Sequence, residues 1–182
     1  MEFLKRTWAE IDLDALKSNV AAIRSALPAG TGIIAVVKAD AYGHGDQYIA
    51  AELESLGIRF FAVSNLEEAL SLRRHGVAGE ILVLGPTPWR RAGDLAKYNI
   101  IQTVHSLPYA ESLSRQAARD GVTVRAHLKL DTGMGRIGFV IREDFDPRPE
   151  IRQAVALPGL RMEGVFSHFS SADDITEAGE DY

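Results

Sequence analysis

An apolar, β-branched run, Ile33-Ile-Ala-Val-Val37, ends in Lys38 and passes directly into Ala-Asp-Ala-Tyr-Gly-His-Gly45. A buried strand that delivers one amine to a glycine-rich loop can make that amine reactive. Partial desolvation at the C-terminal end of a parallel strand favours the neutral form that serves as nucleophile or base. A lysine snorkelling from a strand end toward water has the same signature. Gly43 and Gly45 suit the tight turn of a ligand-binding loop, and a plain turn reads alike in isolation. A second loop, Asp131-Thr-Gly-Met-Gly-Arg136, follows the apolar stretch Val122 to Leu130. Its guanidinium offers a rigid fork of donors suited to a carboxylate. Lys129, on that stretch, either points to solvent or, near Arg136, meets a like charge. Val165-Phe-Ser-His168 ends a third stretch, where a lone histidine is more often structural than catalytic.

The elements that must position these residues follow from hydrophobic spacing. Leu13, Leu16, Val20, Ile23 and Leu27 recur at helical intervals, with Asp12 as N-cap and Pro28 and Gly30 as stop signals. Strands are expected at Ile33 to Lys38, Phe60 to Val63, Ile81 to Leu84, Ile100 to Val104, Val122 to Leu130 and Leu160 to Phe166. Helices are expected between them, at Gln47 to Leu56, Leu66 to His75, Ala92 to Tyr98, Tyr109 to Asp120 and Glu150 to Ala156. This alternation implies right-handed βαβ crossovers and a parallel sheet, an α/β fold. A doubly wound open sheet and a closed (β/α)8 barrel both satisfy it. Leu84, ending the third strand, is a core residue or a pocket wall.

Four segments narrow the choice. Val36-Val-Lys-Ala-Asp-Ala-Tyr-Gly-His-Gly45 closely resembles the pyridoxal-phosphate lysine motif of alanine racemases, and Thr7-Trp-Ala-Glu-Ile-Asp-Leu-Asp-Ala-Leu16 resembles that family's opening segment. His127-Leu-Lys-Leu-Asp-Thr-Gly-Met-Gly-Arg-Ile-Gly-Phe139 and Gly164-Val-Phe-Ser-His-Phe169 are similar to its second and third signatures. The order and spacing, over nearly the whole chain, make the set far more specific than any member.

The resemblance implies a (β/α)8 barrel of the TIM type and an isomerase that interconverts L- and D-alanine, the latter for cell-wall precursors. It implies pyridoxal 5'-phosphate as cofactor, joined to Lys38, with Tyr42 binding the phosphate and His168 packing on the ring. Leu84 becomes a weaker candidate for the pocket wall. Arg136, catalytic together with Lys38, contacts the substrate carboxylate or the cofactor's phenolic oxygen. Lys129 matches a position carbamylated in many such racemases, where the added negative charge would hold Arg136. His44 receives no role beyond its loop. The family's second base is a tyrosine from the partner subunit of a homodimer, and no segment here matches its motif.

A barrel takes eight strands and typically about 250 residues. Six expected strands in 182 residues therefore read as the N-terminal, cofactor-binding portion of a racemase, one domain over 1–182 lacking the family's C-terminal β domain. The N-terminal stretch Arg6 to Asp12 is expected as a strand belonging with that domain. Open sheet edges would favour association with other chains. Alternative readings are a non-catalytic cofactor-binding module and another pyridoxal-phosphate barrel enzyme, such as a broad-specificity amino-acid racemase.

Composition excludes other classes. Hydrophobic residues at 46%, charged residues at 25% and a net charge of -5 fit a globular chain and oppose nucleic-acid or anionic-membrane partners. Arg73-Arg74 and Arg90-Arg91 are too short for a basic patch and are expected to be solvated. The absence of cysteine removes disulfides and thiolate chemistry. With no signal-peptide pattern or membrane-length apolar run, the expected location is the cytoplasm.

Overall fold

The computed structural model describes residues 7–172. Asp12 caps the first helix, α1 (Leu13–Ala26): its Oδ1 accepts from Asp14 N at 2.8 Å and Ala15 N at 3.0 Å. There follow β1 (Ile34–Val36), the short turn α2 (Lys38–Gly43), α3 (Asp46–Ser55), β2 (Phe60–Val63), α4 (Leu66–Arg74) and β3 (Glu80–Val83). A 3-10 turn (Trp89–Arg91) precedes α5 (Ala92–Lys97), β4 (Ile100–Val104), α6 (Leu107–Asp120) and β5 (Val124–Asp131). The order closes with β6 (Phe139–Val140), α7 (Arg148–Val155) and β7 (Leu160–Phe166).

The strands pair in parallel in the order β1-β2-β3-β4-β5, and β5 also carries β6 and β7. This is an incomplete α/β barrel with β1 at one edge and β7 at the other. The expected six strands are present, joined by the two-residue β6, too short for periodicity to detect. No strand forms over residues 7–12. Arg6, the first residue of that expected strand, lies outside the described residues.

Boundaries move for identifiable reasons. Val122 was expected in β5, but its N–H completes the C-terminal turn of α6 by donating to Ala117 O, with Gly121 in the left-handed region at φ 66°. Lys38 was expected to end β1. Instead Val37 makes the last pairing bond, to Ala62 O at 2.9 Å, and Lys38 opens the next turn.

The two sheet faces divide the residues. Phe61, Val63, Ile81, Val83 and Ile100 pack under the helices as the larger core, each burying enough apolar surface to contribute about 1.5–3 kcal/mol. The register Val36–Ala62–Leu82–Ile101 marks the inner face, where Ala62, Leu82 and Ile101 cluster with Phe60, Leu84 and Phe166. On β5 the alternation is strict: Val124, Ala126 and Leu128 pack outward, while Arg125, His127 and Lys129 share the inner face. The His127 ring lies against Gly164, where any Cβ would come within 2.7 Å of it. Arg125, at the N-terminal end of the strand, ion-pairs with Glu80 and with Glu163.

Arg73 departs from the solvated role expected of it. Its guanidinium donates to four backbone carbonyls, Val77 O at 2.8 Å, Gly79 O at 2.7 Å, Tyr98 O at 3.0 Å and Asn99 O at 3.0 Å. It thereby stitches the turns before β3 and β4 together. The Arg73→Ala chain is expected to be destabilised by about 3 kcal/mol, because charge-assisted bonds are lost and carbonyls stripped of partners. Chemical denaturation checks this, with Arg73→Lys recovering a minor part because an ammonium does not span the same fork.

Candidate active site at the strand ends

In a parallel sheet all C-terminal ends lie on one rim; Lys38, Leu84, Arg136 and His168 each follow such an end, while Lys129 lies within β5. Lys38 comes two residues after β1, in the register of Ile34 and Val36 on the inner face. It is half-buried, while its neighbour Val37 is buried among the outer core. Leu84 comes one residue after β3 and packs in the inner cluster. Arg136 is exposed in the loop after β5, and His168 is exposed two residues beyond β7.

The Lys38 loop has an unusual backbone. Ala39, Asp40, Ala41 and Tyr42 all have φ between 51° and 56° and ψ between 36° and 51°, a full turn of left-handed helix with no glycine in it. Such residues pay roughly 1–2 kcal/mol each in steric strain. Hydrogen bonds oppose that strain. Gly45 N donates to Asp40 O at 2.9 Å, Ala41 N to Val37 O at 3.0 Å, and Asp46 N to Asp40 Oδ1 at 2.8 Å. The His44 ring nitrogen Nδ1 lies 2.9 Å from Ala41 O, consistent with a residue that closes the turn. The turn brings the Lys38 amine to 5.8 Å from the centre of the Tyr42 ring and leaves Tyr42 60% exposed at the rim.

Glu68 was absent from the sequence expectations and holds this loop. Its Oε1 accepts from Ala39 N at 3.0 Å, while Oε2 accepts from Ser64 N at 2.7 Å and Ser64 Oγ at 2.8 Å. Burial raises the carboxyl's pKa, but these donors outweigh it, and Glu68 titrates below the ordinary glutamate range. A signal existed in Asn65-Leu-Glu-Glu68, which reads as a helix capping box. Asn65 does cap α4, accepting from Glu68 N at 3.0 Å. The glutamate, however, reaches Ser64 and the neighbouring loop.

The second loop is organised by Asp131, which is buried and whose Oδ1 accepts from Gly133 N at 3.1 Å and Gly135 N at 2.9 Å. The Gly135 bond is the largest reason the Asp131 carboxyl lies below its ordinary value. Since the folded value is depressed, the stability from this carboxylate is complete above the unfolded value of 3.8 and disappears as pH falls through the lower folded value. Protection of the Gly133 and Gly135 amides, taken from the exchange rate relative to the intrinsic rate at each pH, is therefore expected to fall as pH drops through that window and to stay flat above it.

Lys129 does not point to solvent. It is 8% exposed, with its amine 5.1 Å from the centre of the Phe166 ring. Burial lowers the pKa of this amine; Asp131 opposes that shift and Arg136 adds to it. Among the described residues, no group of three or more acidic or histidine side chains could hold a metal ion, and no helix is long and apolar enough to cross a membrane. A half-buried amine, an exposed phenol and an exposed guanidinium on one rim offer a nucleophile for a carbonyl carbon and two donors for an anionic group.

Comparison with known proteins agrees with this layout. Residues 11–181 match the family model described as "Alanine racemase, N-terminal domain". The alanine racemase of Desulfosudis oleivorans is 46% identical over 172 residues, covering 91% of this chain and 44% of that protein. Among solved structures, the alanine racemase of Clostridium difficile superposes with a TM-score of 0.89 at 36% identity, over 98% of this chain and 47% of that one. A histidine racemase from Leuconostoc mesenteroides gives 0.83 at 30% identity, over 93% and 45%. The chain thus spans about half the length of the relatives it matches.

Proposed function

The chain belongs to the alanine racemase family through its N-terminal domain, and from that premise we propose that it forms the cofactor-binding part of a pyridoxal-phosphate-dependent racemase acting on alanine. The observation that carries this reading is the half-buried Lys38, presented by a left-handed turn on the inner rim of a parallel barrel.

Pyridoxal phosphate, when bound, supplies an electron sink that makes the α-proton of an amino acid removable. The chain's own residues would do the rest. The Lys38 amine would hold the cofactor covalently and, once released, take or return the α-proton on one face of the substrate. The Tyr42 hydroxyl would bind the phosphate, Leu84 would form part of the wall and His168 would pack on the ring. Arg136 would orient a carboxylate or the phenolic oxygen through its planar fork. Burial makes the Lys129 amine easier to deprotonate, which suits carbamylation; the resulting anion would hold Arg136 instead of repelling it.

Racemisation needs a second acid/base group on the opposite substrate face, which the reading assigns to the partner subunit of a homodimer. Supply of D-alanine for cell-wall synthesis in the cytoplasm is the corresponding role. The likeness to a histidine racemase supports a second possibility for the substrate, another amino acid.

The direct test is borohydride fixation of pyridoxal phosphate on the chain, followed by peptide mass mapping. A dominant adduct on Lys38 is expected. Adducts spread evenly over other lysines, or none on Lys38, would overturn the reading.

A further inference from the structure

We propose that Glu68 is a positioning residue for the Lys38 loop, fixing the Lys38–Ala39 peptide plane against the end of β2 so that the amine is presented inward. This rests on the reading of Lys38 as the cofactor lysine.

The argument begins with which N–H is bound. Ala39 N belongs to the peptide joining it to Lys38, so the 3.0 Å bond to Glu68 Oε1 restrains the plane from which the Lys38 side chain departs. The other oxygen is committed to the backbone and hydroxyl of Ser64, just after β2. One carboxylate therefore links the C-terminal ends of two adjacent strands. Ala39 is also where the backbone crosses into the left-handed region, at φ 51° after Val37 at -118°. Glu68 thus serves the first amide of a strained left-handed turn much as an N-cap side chain serves a right-handed helix.

The chemistry of the site selects a carboxylate. Both oxygens face N–H donors. Glutamine has one acceptor oxygen and one donor NH2, so whichever way its amide turns, either Ala39 N–H or Ser64 N–H meets another donor. Glu68→Gln keeps the size and the helix position yet necessarily breaks one link. Asn65→Ala is the matched control: it removes the cap of the same helix and the Asn65 Nδ2 bond to Ser64 Oγ, but leaves both carboxylate oxygens facing the Ala39 and Ser64 N–H donors.

Two readouts separate the possibilities. Hydrogen–deuterium exchange over residues 38–43, measured without cofactor, reports the loop itself. The rate of borohydride-fixed pyridoxal phosphate attachment at Lys38 reports its consequence. With Glu68→Gln, exchange across the loop is expected to accelerate and attachment to slow, each about tenfold, the loss of one charge-assisted bond. Asn65→Ala is expected to leave both within about twofold, since the Ala39 and Ser64 N–H groups keep their carboxylate acceptor. Unchanged loop exchange in Glu68→Gln, or equal changes in both variants, would overturn the proposal. So would a Glu68→Gln chain that fails to fold, because a positioning role leaves the outer core intact. If even the unmodified chain forms no Lys38 adduct, the cofactor reading fails, while the exchange comparison still decides whether Glu68 holds the loop.

Discussion

Lys38→Ala is expected to abolish the visible absorption band that forms when the chain is titrated with pyridoxal phosphate, with little change in folding stability. The two halves of this result have separate causes. The substitution removes the amine that would condense with the aldehyde where β1 ends, and with it the nucleophile on which the band depends. Stability is nearly untouched because Lys38 is half-buried and lies beyond the strand pairing, which ends with Val37. In an assembled racemase the same substitution should lower turnover by roughly 10²–10⁴-fold, the range for removing a positioned acid–base group. Retention of the band in Lys38→Ala would mean that another amine holds the cofactor. A cooperative melt moved far from that of the unmodified chain would mean that Lys38 is structural.

The second large effect is expected from Gly138→Ala. Gly138 has φ 137°, and a Cβ there would lie 2.6 Å from Asp131 N, 2.8 Å from Leu130 C and 3.0 Å from Lys129 O. All three are backbone atoms of β5 and cannot swing aside as a side chain would. The chain before β6 must move away, breaking the pairing of Phe139 with Leu130 and of Val140 with Asp131. A loss on the order of 3 kcal/mol follows from overpacking combined with positive-φ strain. Because the displaced segment closes the loop around Asp131 and Arg136, exchange at Gly133 and Gly135 should rise with it. Gly135→Ala is the comparison: it has φ 70° but nothing within 4 Å of its Cβ. Its expected cost is left-handed strain alone, about 1–2 kcal/mol. Equal destabilisation of the two variants would show that close approach at Gly138 is not the deciding feature.

The contrast between these glycines bears on how much of the molecule could be read from its residues. Asp-Thr-Gly-Met-Gly-Arg suggests a loop and draws attention to Arg136. It does not say that the later Gly138 is the glycine pressed against β5. That fact depends on β6 returning to the strand that the loop left. The left-handed turn was equally hidden. Gly43 and Gly45 marked a turn and do adopt positive φ, but the four residues before them are not glycine, and propensity argues against their conformation. The bonds that hold them there come partly from Glu68, some 29 positions away.

Local information determined the order of elements, the parallel α/β class and the strand ends at which Lys38, Leu84, Arg136 and His168 sit. These depend on periodicity, on stop signals and on which residues directly follow an apolar run. The family signatures were legible for the same reason, since each is a short contiguous segment. Tertiary structure alone decided the fates of three charged residues. Arg73 became a backbone clamp, Glu68 a bridge between strand ends, and Lys129 a buried amine. Each result depends on which groups from distant turns arrive within hydrogen-bonding distance and exclude water. No spacing along the chain carries that information, because desolvation and partner geometry belong to the packed structure.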